Sequence, residues 1–452
     1  MPAQNYVLLE RVTVGETAVS SITFNSIPQT GYTDLKIVAS TRGTAGALGE
    51  ANKISFNGDT TNGNYTQKRL LGTGSAASSQ SQTARETFFN VTSGATANTF
   101  ANSEIYIPNY TSANAKSVSI DTVTENNATE AYAALIAVRW SGTAAITSIN
   151  FTPEAGGNFA QYSSFSLYGL AAVGTTPTKA PKASGGSIIQ TDGTYWYHAF
   201  LASGTFTPSI SLTCDVLVVA GAGGGGRGTG AGGGAGGLSY QSGRTVASAV
   251  SLTVGAGGAA GGNSGGTGTN TVFDTITSNG GGGGSVSFNE GITGGSAGGG
   301  LSGTTKNQGN TGGATGYGNN SGSSAQSSNY GAGGGGGAGA AGANGTTGAP
   351  GAGGAGLSGT TIAALNAMGA ATSTGQLVSS NYFYAGGGGG GWNGSANGGA
   401  GGSGGGGSYN NTTVPNGTPN TGGGGGGMNG GSFQATTAGA GGSGIIVIRY
   451  AV

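Results

Sequence analysis

Eight glycine-dominated runs between Gly221 and Gly444 constrain this chain more than any other feature: 221–237, 255–268, 280–284, 331–342, 386–391, 398–407, 422–427 and 439–444. Glycine loses more conformational freedom on ordering than any other residue. Such runs therefore stay disordered or pack in a way that needs no side chains. One such packing is a sheaf of extended left-handed helices, with three residues per turn and about 3.1 Å of rise, joined by backbone hydrogen bonds to their neighbours. It is open only to segments nearly free of Cβ atoms. Collagen is excluded: it needs glycine at every third position and abundant proline, whereas these glycines are largely consecutive and the chain has 10 prolines against 103 glycines.

The flexible glycine linker is opposed by the two ends of the tract. Asp215-Val216-Leu217-Val218-Val219-Ala220 leads into the glycines and Ile445-Ile446-Val447-Ile448-Arg449-Tyr450 closes them. Each is a short β-branched run of the kind that forms a buried strand. The expectation is that the two strands pair or stack and clasp the sheaf at its base.

Residues 5–170 read as short strands separated by turn chemistry, among them Tyr6–Val14, Ser21–Phe24, Asp34–Ala39, Lys53–Phe56, Thr87–Val91, Ser103–Ile107, Ser117–Asp121, Ala131–Trp140, Ile146–Phe151 and Phe165–Tyr168. That spacing predicts a β-sandwich or jelly roll. The expected fold is all-β: a sandwich over 1–173 for attachment or oligomerisation, a linker over 174–186 marked by Pro177 and Pro181, and a glycine-rich domain over 187–452. Ile362–Met368 carries helix formers and is left unassigned.

Charge removes several classes of function. Fifteen cationic and fifteen acidic residues balance, which takes away the electrostatic case for nucleic acid or an anionic membrane. Only Asp215, Asp274 and Glu290 are acidic after Phe206. The single cysteine, Cys214, excludes an intrachain disulfide and a thiolate metal cluster. The start of the chain lacks the basic and apolar pattern of a signal peptide, and no run reaches the roughly 18 apolar residues of a spanning helix. Synthesis in a reducing cytoplasm is expected.

Gly221, Gly223 and Gly226 follow a strand and match the dinucleotide fingerprint, but Arg227–Gly232 cannot form the helix that would hold a pyrophosphate. His198, the only histidine, stands among Trp196, Tyr197 and Phe200 and reads as a packed residue; Cys214 reads as a small buried one. Glu125, Glu130 and Glu154 are the acids available for glycoside cleavage, and they read as solvated turn residues. No catalytic residues, cofactor or metal site are expected.

The order Thr205-Phe206-Thr207, Val216–Ala220, Thr253-Val254-Gly255-Ala256-Gly257-Gly258 and Gly442-Ser443-Gly444 with its terminal strand resembles the glycine-rich domain of bacteriophage tail fibres and tail-tip adhesins. The resemblance covers roughly residues 185–452. It implies a virion structural protein made in the host cytoplasm, a homotrimer joined to other virion proteins, whose loops on a polyglycine platform bind a host cell-surface polysaccharide or outer-surface protein. The inserts between glycine runs supply the candidate receptor-binding residues Phe288, Tyr317, Tyr330, Tyr382, Phe383, Tyr384, Trp392, Tyr409 and Asn410. Aromatic faces beside amides and hydroxyls suit sugars and protein loops. A capsid decoration protein without specific recognition is the alternative. An ice-binding protein, the other known use of such sheaves, is opposed by the irregular inserts.

Overall fold

The computed structural model describes residues 6–126, 131–172, 180–286, 289–326, 330–393, 398–409, 415–430 and 437–452. The chain forms two compact units: one takes 1–182 with 187–196 and 452, the other 183–186 with 197–451. Residues 187–196 thus belong with the first unit, whereas composition alone assigned them to the second. The reason is strand pairing. Ile188 and Ile189 lie opposite Val12 and Arg11 of the first strand. Of the expected linker, 174–179 lie outside the described residues, and Ala183–Ser184 forms a short strand.

The first unit contains β1 (Tyr6–Thr13), β2 (Ile22–Phe24), β3 (Tyr32–Thr41), β4 (Gly49–Phe56), β5 (Tyr65–Gly72), β6 (Ala77–Gln82), β7 (Glu86–Val91), β8 (Ala101–Ile107), β9 (Lys116–Val123), β10 (Ala133–Trp140), β11 (Ile149–Pro153) and β12 (Ser164–Ala171). After β13 (Ala183–Ser184), β14 (Ile188–Thr191) returns to pair with β1. One sheet contains the order β1-β12-β3-β8 and the other is β2-β11-β4-β7. Every step along these eight strands except β4 to β7 changes sheet, which is the jelly-roll winding. Two hairpins are added to it: β9-β10 and β5-β6 extend the first sheet in the order β8-β9-β10-β5-β6.

Alternation of side chains supplies the core. β8, β9 and β10 bury every second residue, as strands with one solvated face must. Between the layers, Phe88 of β7 and Phe151 of β11 meet Phe165 of β12, with ring centroids 6.2 and 5.8 Å away. The Ala133–Trp140 stretch, alanine- and leucine-bearing, is a strand because Ala134, Ile136, Val138 and Trp140 all face this core. The β5-β6 hairpin was not predicted, since β6 (ASSQSQ) has no apolar face at all.

The second unit adds β15 (Tyr195–Phe200), β16 (Gly204–Pro208), β17 (Leu212–Val219), β18 (Leu238–Val246), β19 (Val250–Thr253), β20 (Thr271–Phe273), β21 (Ile276–Ser278), β22 (Thr315–Tyr317), β23 (Leu357–Ser358), α1 (Ala364–Thr372), β24 (Gln376–Val378), β25 (Asn381–Tyr384) and β26 (Ile445–Ala451). The two strands expected to clasp the glycines do pair. β17 and β26 run antiparallel from Cys214↔Tyr450 to Val219↔Ile445, and Val216–Val219 and Ile445–Ile448 are buried.

Between them the glycine runs form the sheaf, and its signature is hydrogen bonding with a period of three. From 221 to 226, the N–H groups of Gly221 and Gly224 reach Thr269 and Gly266, those of Ala222 and Gly225 reach Gly442 and Gly439, and those of Gly223 and Gly226 reach Gly234 and Ala231. One helix thus bonds three neighbours, one per face, as a threefold extended helix requires. Both directions occur: 221–226 is antiparallel to these three partners, whereas Gly386 and Gly389 bond Gly404 and Gly407 in parallel sense. The contacts leave no room for side chains. A Cβ on Gly223 would lie 2.1 Å from the carbonyl oxygen of Gly282, and one on Gly225 equally close to that of Gly426.

Candidate functional site

The sheaf has two ends, and its inserts divide between them. At the base, Val219 leads into the first helix and Gly444 leaves the last. At the opposite end, here the tip, the chain turns at 227–230, 262–264, 346–348 and 428–430. The tip turns are tied to one another: the Arg227 N–H donates to the Asn263 carbonyl, that of Gly230 to Met428, that of Asn393 to Tyr330 and that of Gly430 to Trp392.

Four of the nine candidate residues lie at the base. Tyr317 is half-buried in β22, opposite Leu238. Tyr382, Phe383 and Tyr384 form β25, the middle strand of the small sheet β23-β25-β24, against which α1 packs. The helix follows from the Ala-Leu-Asn-Ala-Met run of good helix formers. It ends at Ser373, whose left-handed conformation (φ 53°) lets its N–H donate to the Gly369 carbonyl. Gly369 is required there, since a Cβ would lie 2.3 Å from the Tyr382 ring. Tyr384 is wholly buried, its hydroxyl 2.8 Å from the Thr374 hydroxyl, and burial pushes its phenol well above the usual range. Tyr384 is a packing residue, and the expectation that it contacts a receptor is corrected. The sequence shows an aromatic cluster but not which end of a helix it caps.

Tyr330, Trp392 and Tyr409 meet at the tip. Gly331 bridges Trp392, and the Trp392 N–H donates to Asn429 Oδ1 at 2.7 Å. A Cβ on Gly398 would fall 2.8 Å from the Cβ of Tyr409 and 3.4 Å from Asn429 Oδ1. Thr229 and Asn393 lie beside Gly430, whose N–H donates to the Trp392 carbonyl; their side-chain oxygens are 2.0 and 3.0 Å from a Cβ placed on Gly430. Tyr330 and Tyr409 are buried while Trp392 is half-buried. Both tyrosines are therefore less open than a receptor-contacting loop residue was expected to be, because neighbouring backbone closes over them. The Trp392 indole N–H and the Tyr409 hydroxyl have no hydrogen-bond partner among the described residues, and burial raises the Tyr409 phenol. Asn393 is exposed beside them, as is Arg227 on the neighbouring turn. Phe288 and Asn410 lie outside the described residues.

Sequence reasoning missed Thr229, Asn393 and Asn429. Their signal was available: each stands where a glycine run is interrupted or ends. Elsewhere the chemistry is quiet. His198 and Cys214 are buried, Glu130 lies outside the described residues, and among those described no three His, Cys, Asp or Glu side chains gather as a metal site. Among the described residues no helix is long and apolar enough to cross a membrane.

The fold and the sheaf define an all-β protein in which a jelly roll precedes a polyglycine domain. Comparison with protein families bears on the second of these: residues 201–451, more than half of the chain, match the glycine-rich domain family, and the chain belongs to it. Comparisons with curated proteins and with solved structures gave no match.

Proposed function

We propose that this chain is a bacteriophage virion structural protein, a tail fibre or tail-tip adhesin, that binds a host cell-surface polysaccharide or outer-surface protein through the tip of its sheaf. The observation that carries the reading is the tip cluster, where Tyr330, Trp392 and Tyr409 converge with Thr229, Asn393 and Asn429. The exposed Asn393 amide beside the half-buried Trp392 ring offers a polar group and an aromatic surface that a hydroxyl- or amide-bearing ligand can meet. The sheaf beneath is crosslinked on three faces by backbone bonds, so the cluster is presented with little entropy left to lose on binding. The action is reversible binding, and several copies on one virion raise avidity over a single weak site.

The test is adsorption of purified full-length chain to host cells. Trp392→Ala and Asn393→Ala should each weaken it about tenfold or more, while Leu377→Ala, exposed in β24 at the base, should leave it unchanged. Adsorption that survives both tip substitutions would sink the adhesin reading and favour a capsid decoration protein.

A further inference from the structure

The outer face of the β5-β6 and β9-β10 extension has the form of an interface. On it Leu70 and Leu135 are directly opposed in register, and they are 60% and 59% exposed. They line a shallow groove of about 540 Å³ with Lys68, Ser79, Ser119 and Ala137. Apolar side chains this open on a jelly roll whose inward faces are buried are not needed for its core.

The charges around the leucines are arranged asymmetrically. Lys68 lies opposite Ala137 on one side of β10, and Asp121 lies opposite Leu135 on the other side. Among the described residues Lys68 donates only to the Ser81 hydroxyl. Asp121 and Arg139 are exposed and have no ion-pair or hydrogen-bond partner among the described residues. Asp121 stands opposite Glu104, a like-charge pair that costs stability in a sheet. Glu104 is already engaged by Lys36.

We propose that this face binds a second copy of the same chain across a two-fold axis. Strands lie about 4.8 Å apart and alternate residues about 6.8 Å apart along them. Lys68 and Asp121 are then related by a two-fold lying in the face and passing between Leu135 and Ala137. That operation sets Lys68 of each copy against Asp121 of the other. It also carries Leu70 to within about 3 Å of the Leu135 position on the opposing face, so the exposed leucines bury one another. The strands of the two sheets cross at a steep angle, within the orthogonal class of sheet packing. One rotation thus sets Lys68 against Asp121 twice over and covers both leucines, which is what a self-complementary interface requires. This contact is independent of the tip and of whatever the tip binds.

The experiment is sedimentation of the full chain over a micromolar concentration series. The wild type should dimerise. Leu135→Arg should weaken association by about tenfold or more, and Lys68→Asp and Asp121→Lys should each weaken it, with unchanged melting temperatures because all three side chains point outward. The double variant Lys68→Asp/Asp121→Lys should recover association, which a general loss of charge or stability would not give. A monomer at every concentration, association indifferent to Leu135→Arg, or a double variant no better than the singles would overturn the proposal. A monomeric chain that loses a different binding partner on Leu135→Arg would give the face to that partner and overturn it equally.

Discussion

His198 Nε2 lies 3.0 Å from the hydroxyl of Tyr450, and its Nδ1 lies 2.6 Å from the carbonyl oxygen of Gly185. A carbonyl can only accept, so Nδ1 carries the proton and Nε2 accepts from the tyrosine. The neutral ring thereby joins β15, β26 and the backbone after β13.

Burial lowers the His198 pKa from 6.5 to about 4. The unfolded chain takes up a proton below pH 6.5 that the folded one refuses until about pH 4. Stability from this residue is therefore full above pH 6.5 and falls by up to about 1.4 kcal/mol per unit as pH drops through that window. Urea unfolding from pH 7.5 to 4.5 should show this slope in the wild type. His198→Phe should be less stable at pH 7.5 but have a flatter profile. Equal slopes in the two proteins would refute the assignment.

Glu10 predicts the opposite slope in the first unit. Its carboxyl is buried, which raises its pKa well above 4.5 despite a bond from the backbone of Asn25, and one oxygen has no partner among the described residues. The folded chain holds the proton after the unfolded one has released it. Stability is thus present below pH 4.5 and is lost as pH rises toward the folded pKa. Glu10→Gln should gain stability at pH 7.5 and nothing at pH 4, as read from urea midpoints.

Lys116 is nearly inaccessible, and its ammonium donates to the carbonyls of Ser112, Asn114 and Ala144 at 2.8, 2.6 and 3.1 Å, beside the Trp140 ring. Burial lowers its pKa. Lys116→Met keeps the stem and removes the donor, leaving those carbonyls unsatisfied. A loss of about 3 kcal/mol is expected, with little dependence on salt because no carboxylate is involved. A cost below experimental error in chemical denaturation would show that water serves the carbonyls as well.

The sheaf makes its own prediction. Gly223→Ala places a methyl 2.1 Å from the Gly282 oxygen, while a Cβ on Gly262 meets nothing within 4 Å. Gly223→Ala should cost several kcal/mol and lose amide protection along 221–226, whereas Gly262→Ala should be neutral or gain roughly 0.5 kcal/mol. Hydrogen exchange distinguishes the outcomes, and equal protection in both variants would contradict the three-sided bonding.

Much of the fold was legible in the chain. Alternation in Ala101–Ile107 and Lys116–Val123 fixes strands with one buried face, and the near absence of Cβ atoms over 221–226 allows helices that approach within hydrogen-bonding distance on every side. Val216–Val219 and Ile445–Ile448 announce a buried strand pair because nothing else satisfies runs so apolar. These are local properties, and local sequence determines them. The β5-β6 hairpin was hidden because Ala77–Gln82 is held by backbone pairing to β5 and carries no pattern of its own. The division of the aromatics between base and tip was hidden for a different reason. Tyr384 and Trp392 are eight residues apart in sequence, yet the helix between them rises about 22 Å and puts one in a core at the base and the other half-buried at the tip. Which end each insert reaches depends on the direction of every run before it. That direction is set by hydrogen bonds between distant glycines with identical side chains, so only the tertiary structure decides it.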